Sequence, residues 1–173
     1  MHSHTPALQL ALAAALLILP GCSSEVDEPT SGVRNSIPSA ADLALGSSPK
    51  FELLSLDPEQ PEADEEGHFQ RWKVLGTVNV TDSATRSKIV AALRAGVPKY
   101  EMPPAACFIP RHGIRVSDRE ATYDFVICFQ CSAVGVYTGD NPPGGFQVKS
   151  SPQPVFDEEL VRAGVPLARK LSK

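Results

Sequence analysis

The sequence predicts an α+β fold, a single small domain with a mainly antiparallel sheet and two short helices on it. Three observations lead there. Residues 69–80 (FQRWKVLGTVNV) alternate apolar and polar side chains, and 122–131 (TYDFVICFQC) form a second β-rich run. Apolar residues between Ala84 and Val97 recur at helical spacing and stop at a Gly-Val-Pro sequence. A polar turn at 118–120 and a breaker-rich turn at 139–145 join the later strands tightly, as antiparallel neighbours require. The chain has 173 residues, 42% of them hydrophobic, enough for one real core and too few for two large ones.

The elements follow in order. Phe51–Leu56 (FELLSL) is a short strand. In 69–80, Trp72, Val74, Gly76, Val78 and Val80 share one face, opposite Lys73, Leu75, Thr77 and Asn79. Thr81 or Asp82 caps the helix that follows. Its stripe is Ala84, Ile89, Val90, Leu93 and Val97, with Arg86, Lys88 and Arg94 outside it. Gly96 is expected in the left-handed position at its end, with Pro98 blocking continuation. Strands then fall at Ile114–Ser117, Thr122–Cys131, Val134–Thr138 and Phe146–Lys149. Asp157 is placed to cap a last helix through Ala163, stopped by Gly164 and Pro166. The string Arg-Ala-Gly-Val-Pro occurs at both 94–98 and 162–166 with unlike flanks, so it reads as shared stop chemistry and not as a duplicated domain.

Composition narrows the function classes. Sixteen Lys+Arg against twenty Asp+Glu leave a net charge of −4, without the basic field of a nucleic-acid binder. Six carboxylates crowd residues 57–67, but their spacing does not fit a calcium loop, so they read as a solvated acidic loop. Charge is uneven: residues 22–66 carry eleven acids and two bases, residues 67–173 nine acids and fourteen bases.

Residues 10–19 (LALAAALLIL) are apolar without interruption, too short to span a bilayer and of the length of a secretory signal's core. They lead into Leu19-Pro20-Gly21-Cys22, which resembles the lipobox of bacterial lipoproteins. The resemblance implies a signal peptide over 1–21, cleavage before Cys22, and a diacylglycerol on the Cys22 sulfur. Palmitate-type acyl chains would then hold the protein to a membrane of the cell envelope. Ser23 after the cysteine resembles outer-membrane sorting, so the domain faces the periplasm or the exterior. Residues 22–50, rich in Ser, Pro, Gly and acids, read as a flexible tether, and 51–170 as the domain. Ala40–Leu45 is compatible with a helical turn, but nothing in the tether demands one.

Three further cysteines, Cys107, Cys128 and Cys131, stand with His112 in a Cys-x4-His and Cys-x2-Cys pattern. Three readings stay open. The first is a structural disulfide between Cys107 and either Cys131 or Cys128, favoured by an oxidising compartment. It rests on a turn at 118–120 that sets Val116 opposite Thr122 and so residue 107 opposite residue 131. The second is a zinc site of Cys107, His112, Cys128 and Cys131, whose ligand types fit but whose spacing is poor for a strand. The third is a redox-active Cys128-Phe-Gln-Cys131 pair, although no capped helix follows to activate it.

The segments Cys107–Arg115 (CFIPRHGIR) and Tyr123–Cys131 (YDFVICFQC) resemble a family of small secreted or periplasmic bacterial proteins with a CFxPRHGIR … VICFxC core. The resemblance covers most of residues 50–167. It implies one intact domain and supplies no mechanism. Arg111, His112 and Arg115 together are a candidate anion or catalytic cluster, although no Ser, Asp or Glu partner stands at a recognised spacing. His112 on its own reads as a hydrogen-bonded turn residue. The function expected is that of a lipid-anchored module acting by binding or in envelope structure, with no cofactor and no nucleic acid. Its partners would be the membrane, through Cys22, and a protein or other envelope ligand. The alternative is an anchored enzyme or metal-handling protein using His112, Arg111 and the cysteines.

Overall fold

Where successive residues of a strand are apolar, its sheet has two apolar faces, and both must be covered. In the computed structural model, which describes residues 35–61, 68–103, 107–139, 141 and 143–169, each face is covered by a different device. The seven strands are β1 (Lys50–Pro61), β2 (His68–Phe69), β3 (Trp72–Asn79), β4 (His112–Ser117), β5 (Thr122–Cys128), β6 (Ala133–Tyr137) and β7 (Gly144–Gln147). They form one antiparallel sheet in the order β2-β3-β1-β4-β5-β6-β7. Three helices accompany it: α1 (Ser39–Ser47), α2 (Ser83–Gly96) and α3 (Gln153–Arg162). The class is the expected one, an α+β domain made mostly of sheet.

The helices cover the first face. Leu53, Ile114, Phe125 and Val136 lie side by side across four strands. All four belong to a cluster with Leu45 of α1, Ile89, Val90 and Leu93 of α2, and Phe156 and Leu160 of α3. The sheet covers its second face by curling. Ser55 pairs with Gly76 but Leu56 with Val74, so β3 carries one extra residue there, a bulge that reverses its facing. The five residues expected on one face are therefore divided. Val78 and Val80 pack in the helix-side cluster, whereas Trp72 and Val74 join Leu54, Leu56, Phe69 and Val126 on the other side.

The run expected as one strand over 69–80 is also cut by a two-residue turn, Gln70-Arg71, between β2 and β3. Both residues have left-handed backbones, φ 52° and 80°, where Asn-Gly is the usual choice. Side-chain contacts offset that strain. Gln70 Nε2 donates to Asp124 Oδ2 at 2.7 Å, and the Arg71 guanidinium lies 5.5 Å from the Trp72 ring centre. Buried Asp124 also accepts two bonds from Arg115, both 2.7 Å, and Arg115 stacks 5.1 Å over Phe69. Gly113 lets that ring close down: a Cβ there would sit 2.8 Å from Phe69.

Three expectations about the helices need correction. Residues 39–47, assigned above to the tether, are α1, and Leu45 is fully buried in the main cluster. The folded domain therefore begins before residue 51. Arg86 explains why α1 docks: its guanidinium donates to the carbonyls of Leu45 and Ser48, which the helix end leaves open, and to that of Ala44, which also accepts the Ser48 amide, and it stacks on Phe51. Asp42 adds an ion pair to Arg94 at 2.7 Å, so one acid of the acidic leader does fold onto the basic part. Asp82 caps α2 as expected, accepting from the Thr85 amide at 2.7 Å. Gly96, however, is not left-handed; it is the last helical residue, and a Cβ there would collide with the Pro152 ring. Gly164 does take the left-handed position after α3, at φ 74°. The two Arg-Ala-Gly-Val-Pro strings thus use their glycines differently. Finally, α3 starts at Gln153, with proline in its first turn, so Asp157 lies inside the helix and does not cap it.

Two substitutions probe these devices. Arg86→Met keeps the aliphatic stem but removes every bond to the end of α1, and is expected to cost about 2–3 kcal/mol in urea unfolding. Gly113→Ala is expected to cost about 1–3 kcal/mol through the clash with Phe69, and Gly113→Ala with Phe69→Leu to recover part of that loss.

Candidate functional site

The site is set by the β4–β5 hairpin. His112 pairs with Ile127 and each rung follows to Ser117 with Thr122, one residue away from the register assumed above. The ladder's first rung is His112; Arg111 extends it by one amide bond to Ile127, and Pro110 before it has no N–H to give. Cys107 therefore never reaches a rung. Strand β5 also ends at Cys128, paired with Ala133, so Phe129–Ser132 form the turn to β6. Ser132 closes that turn with φ 55°. The Cys-x2-Cys sequence spans a turn, where residues three apart converge, and not a strand, where they diverge.

The consequence is a disulfide between Cys128 and Cys131, with α-carbons 5.1 Å apart. Cys107 is a free, exposed thiol. This corrects the expected pairing of Cys107 with Cys131 or Cys128. Both bridged cysteines are buried, and both sulfurs accept backbone hydrogen bonds: Cys128 Sγ from the Cys131 amide at 3.0 Å, Cys131 Sγ from the Ile109 amide at 3.2 Å.

His112 is 3% exposed and lies on the helix side of the sheet. Phe129 and Phe156 flank its ring at 5.2 and 5.8 Å, and its Nε2 meets Asp157 Oδ1 at 2.8 Å. It is hydrogen-bonded as expected, but as the first residue of β4 and not in a turn. Gln153 Nε2 donates to the other oxygen of Asp157 at 3.3 Å. Burial pushes the Asp157 carboxyl up; the bond and charge of His112, with Gln153 and the Arg111 charge, outweigh it and hold the group below its ordinary value. The same arrangement fastens α3 to the sheet end. Lys88 joins α3 to α2 through Glu158 at 2.7 Å and Glu159 at 3.1 Å.

Arg111, His112 and Arg115 do not form a shared surface. Arg115 lies on the opposite face with Asp124, while Arg111 Nη1 donates to Gln130 Oε1 at 3.2 Å, in the middle of the cysteine turn. Arg111 Nε is buried without a hydrogen-bond partner. Cys128 and Cys131 are bonded to each other and His112 to Asp157, so the four candidate metal ligands do not converge. Among the described residues no group of three or more His, Cys, Asp or Glu side chains is placed to hold a metal ion. A hollow of about 290 Å³ lies elsewhere, between the end of β3 and the helices, lined by Asn79, Asp82, Thr85, Glu159 and Arg162. The lipidation candidate Cys22 and the acidic residues 62–67 lie outside the described residues.

Sequence reasoning missed Asp157 and Gln153 as partners of His112, because an acid near a helix start reads as a cap. It also missed the aromatic pair around the imidazole, since Phe129 and Phe156 are far apart in the chain. No protein family, curated protein or solved structure matches the chain.

A group whose carboxyl is depressed on folding stabilises the fold above its unfolded value, about 3.9, and ceases to as pH falls through its folded value. Asp157→Asn is therefore expected to lose about 1.5–3 kcal/mol at pH 6–7 in chemical unfolding. The gap to the unsubstituted protein should close as the pH drops below about 4. A constant gap from pH 7 to pH 2 would show that Asp157 acts without its charge.

Proposed function

We propose that the chain is a lipoprotein of the cell envelope, held to a membrane by acyl chains on Cys22 and presenting its α+β domain to the periplasm or exterior as a binding or structural module. The observation that carries this reading is Leu19-Pro20-Gly21-Cys22 directly after an uninterrupted apolar run. Only a thiolate among the nearby side chains is nucleophilic enough to take the lipid, and small Gly21 leaves the cysteine accessible. Two or more acyl chains hold a protein stably where one does not.

Features of the domain support it. A bridged Cys128–Cys131 pair suits an oxidising compartment. Among the described residues no helix is long and apolar enough to cross a membrane, so a membrane attachment there would need another device. With α1 inside the domain and Ile37 packed against its core, the spacer after Cys22 is at most fourteen residues (23–36), several nanometres if extended. Binding is favoured over catalysis because His112, the imidazole of the candidate catalytic cluster, is enclosed by two rings with its Nε2 committed to Asp157. The resemblance of 107–115 and 123–131 to small secreted proteins points to the same compartment.

The test is lipid incorporation in a bacterial host. Radiolabelled palmitate should enter the full chain and not its Cys22→Ala variant, and the unsubstituted protein should partition into the detergent phase. Label retained by Cys22→Ala, or a water-soluble chain with an unmodified Cys22, would overturn the reading.

A further inference from the structure

We infer that Cys107, Cys128 and Cys131 form a thiol–disulfide exchange site, in which the exposed Cys107 gives dithiols access to the buried Cys128–Cys131 bridge. The inference does not depend on the anchor at Cys22. It starts from a contrast in exposure: the bridge is inside the fold, with its cysteines 1% and 2% exposed, and the free thiol is outside. A reductant larger than a few atoms cannot reach the bridge directly; Cys107 can.

The reach follows from covalent geometry. The Ile109 amide nitrogen is 3.2 Å from Cys131 Sγ. The α-carbon of Cys107 can lie no more than about 6 Å from that nitrogen, so it is within about 9 Å of the Cys131 sulfur. The Cys107 side chain spans part of that distance. Phe108, edge-on to Trp72, and Ile109 hold the segment in place, and exposed Cys107 at its start belongs to no helix or strand whose bonds would resist a shift over the remainder.

Both bridged sulfurs accept a backbone amide, so proximity assigns the direction of the exchange. Ile109 ties the Cys107 segment to Cys131, which makes the Cys131 sulfur the electrophile. The leaving sulfur is then that of Cys128, and it already accepts the Cys131 amide at 3.0 Å, a donor that stabilises a thiolate. In the first step the Cys107 thiolate attacks Cys131 Sγ. The Cys107–Cys131 bond forms, the Cys128–Cys131 bond breaks, and Cys128 departs as a thiolate that takes a proton from water. The external dithiol then attacks Cys107 Sγ, forming a mixed disulfide and releasing Cys131 as a thiolate, which is protonated. The second thiol of the dithiol attacks its own bound sulfur and releases Cys107 as a thiolate. The net change is a dithiol oxidised to a disulfide and the Cys128–Cys131 bridge reduced to two thiols, with Cys107 regenerated.

The experiment uses the full chain with Cys22→Ala, which removes the one other thiol. The oxidised protein and its Cys107→Ser variant are treated with dithiothreitol, quenched in acid at intervals, and the loss of the Cys128–Cys131 bridge is followed by mass spectrometry. Cys107 is exposed, so the serine variant is expected to keep its fold, which unfolding curves check before the rates are compared. Reduction is expected to slow at least threefold in Cys107→Ser; a smaller change overturns the inference. A second variant tests the reach. With Cys128→Ser, oxidation in a glutathione buffer is expected to bridge Cys107 to Cys131. If both sulfurs stay unbridged to each other, Cys107 does not reach Cys131, and the inference fails whatever the first result.

Discussion

The rung that joins His112 to Ile127 governs the chemistry of this domain. It places the imidazole on the helix side beneath α3, where Asp157 can meet it. It also leaves Cys107 beyond the ladder, exposed and unbridged. One residue past Ile127, β5 ends at Cys128, opposite Ala133, and the following four residues become a turn that two sulfurs can close. A slip of one residue would turn every side chain of β4 to the other face, taking His112 away from α3 and Arg115 away from Asp124. The register is held because both faces carry buried partners: Ile114 and Val116 on one side, the Arg115–Asp124 pair under Phe69 on the other.

The second constraint is coverage. Three helices shield one face of the sheet, and the β2–β3 hairpin curls over the other. The curl needs an extra residue in β3 and two consecutive left-handed residues at Gln70-Arg71, each unfavourable for an L-amino acid. Asp124 links this closure to the candidate site. It accepts from Gln70 in the strained turn and from Arg115 on the strand that begins with His112. Changes at either end of that network should be felt at the other through β4, a short strand with buried residues along most of its length.

Much of this was legible in the sequence. Alternation in β3 and β5, the Asp82 cap and the stripe of α2 report local physics: period, capping and backbone freedom. The class, α+β with an antiparallel sheet, follows from tight turns between strands. What escaped depends on contacts between distant residues. Ala40–Leu45 is compatible with a helical turn, but nothing local demands α1, because its reason to dock is Arg86, some forty residues later. The Gln70-Arg71 turn carries no Gly or Asn, because tertiary bonds and not local preference hold it. The cysteine pairing escapes for two reasons: the hairpin register differs by one residue from the one the 118–120 turn suggests, and β5 ends at Cys128, so Cys128 and Cys131 bracket a turn. His112 was recognised as hydrogen-bonded, but its partner lies 45 residues away and looked like a helix cap.

The cysteine arrangement is the claim on which the site stands, and it can be read directly. Native protein, quenched in acid to stop exchange and then alkylated without reductant at the lowest pH that allows reaction, is digested and mapped by mass spectrometry. The account expects the alkyl group on Cys107 and an intact bridge within the peptide that holds Cys128 and Cys131. A predominant disulfide joining Cys107 to either of the others would contradict the register, and with it the placement of His112 and the turn.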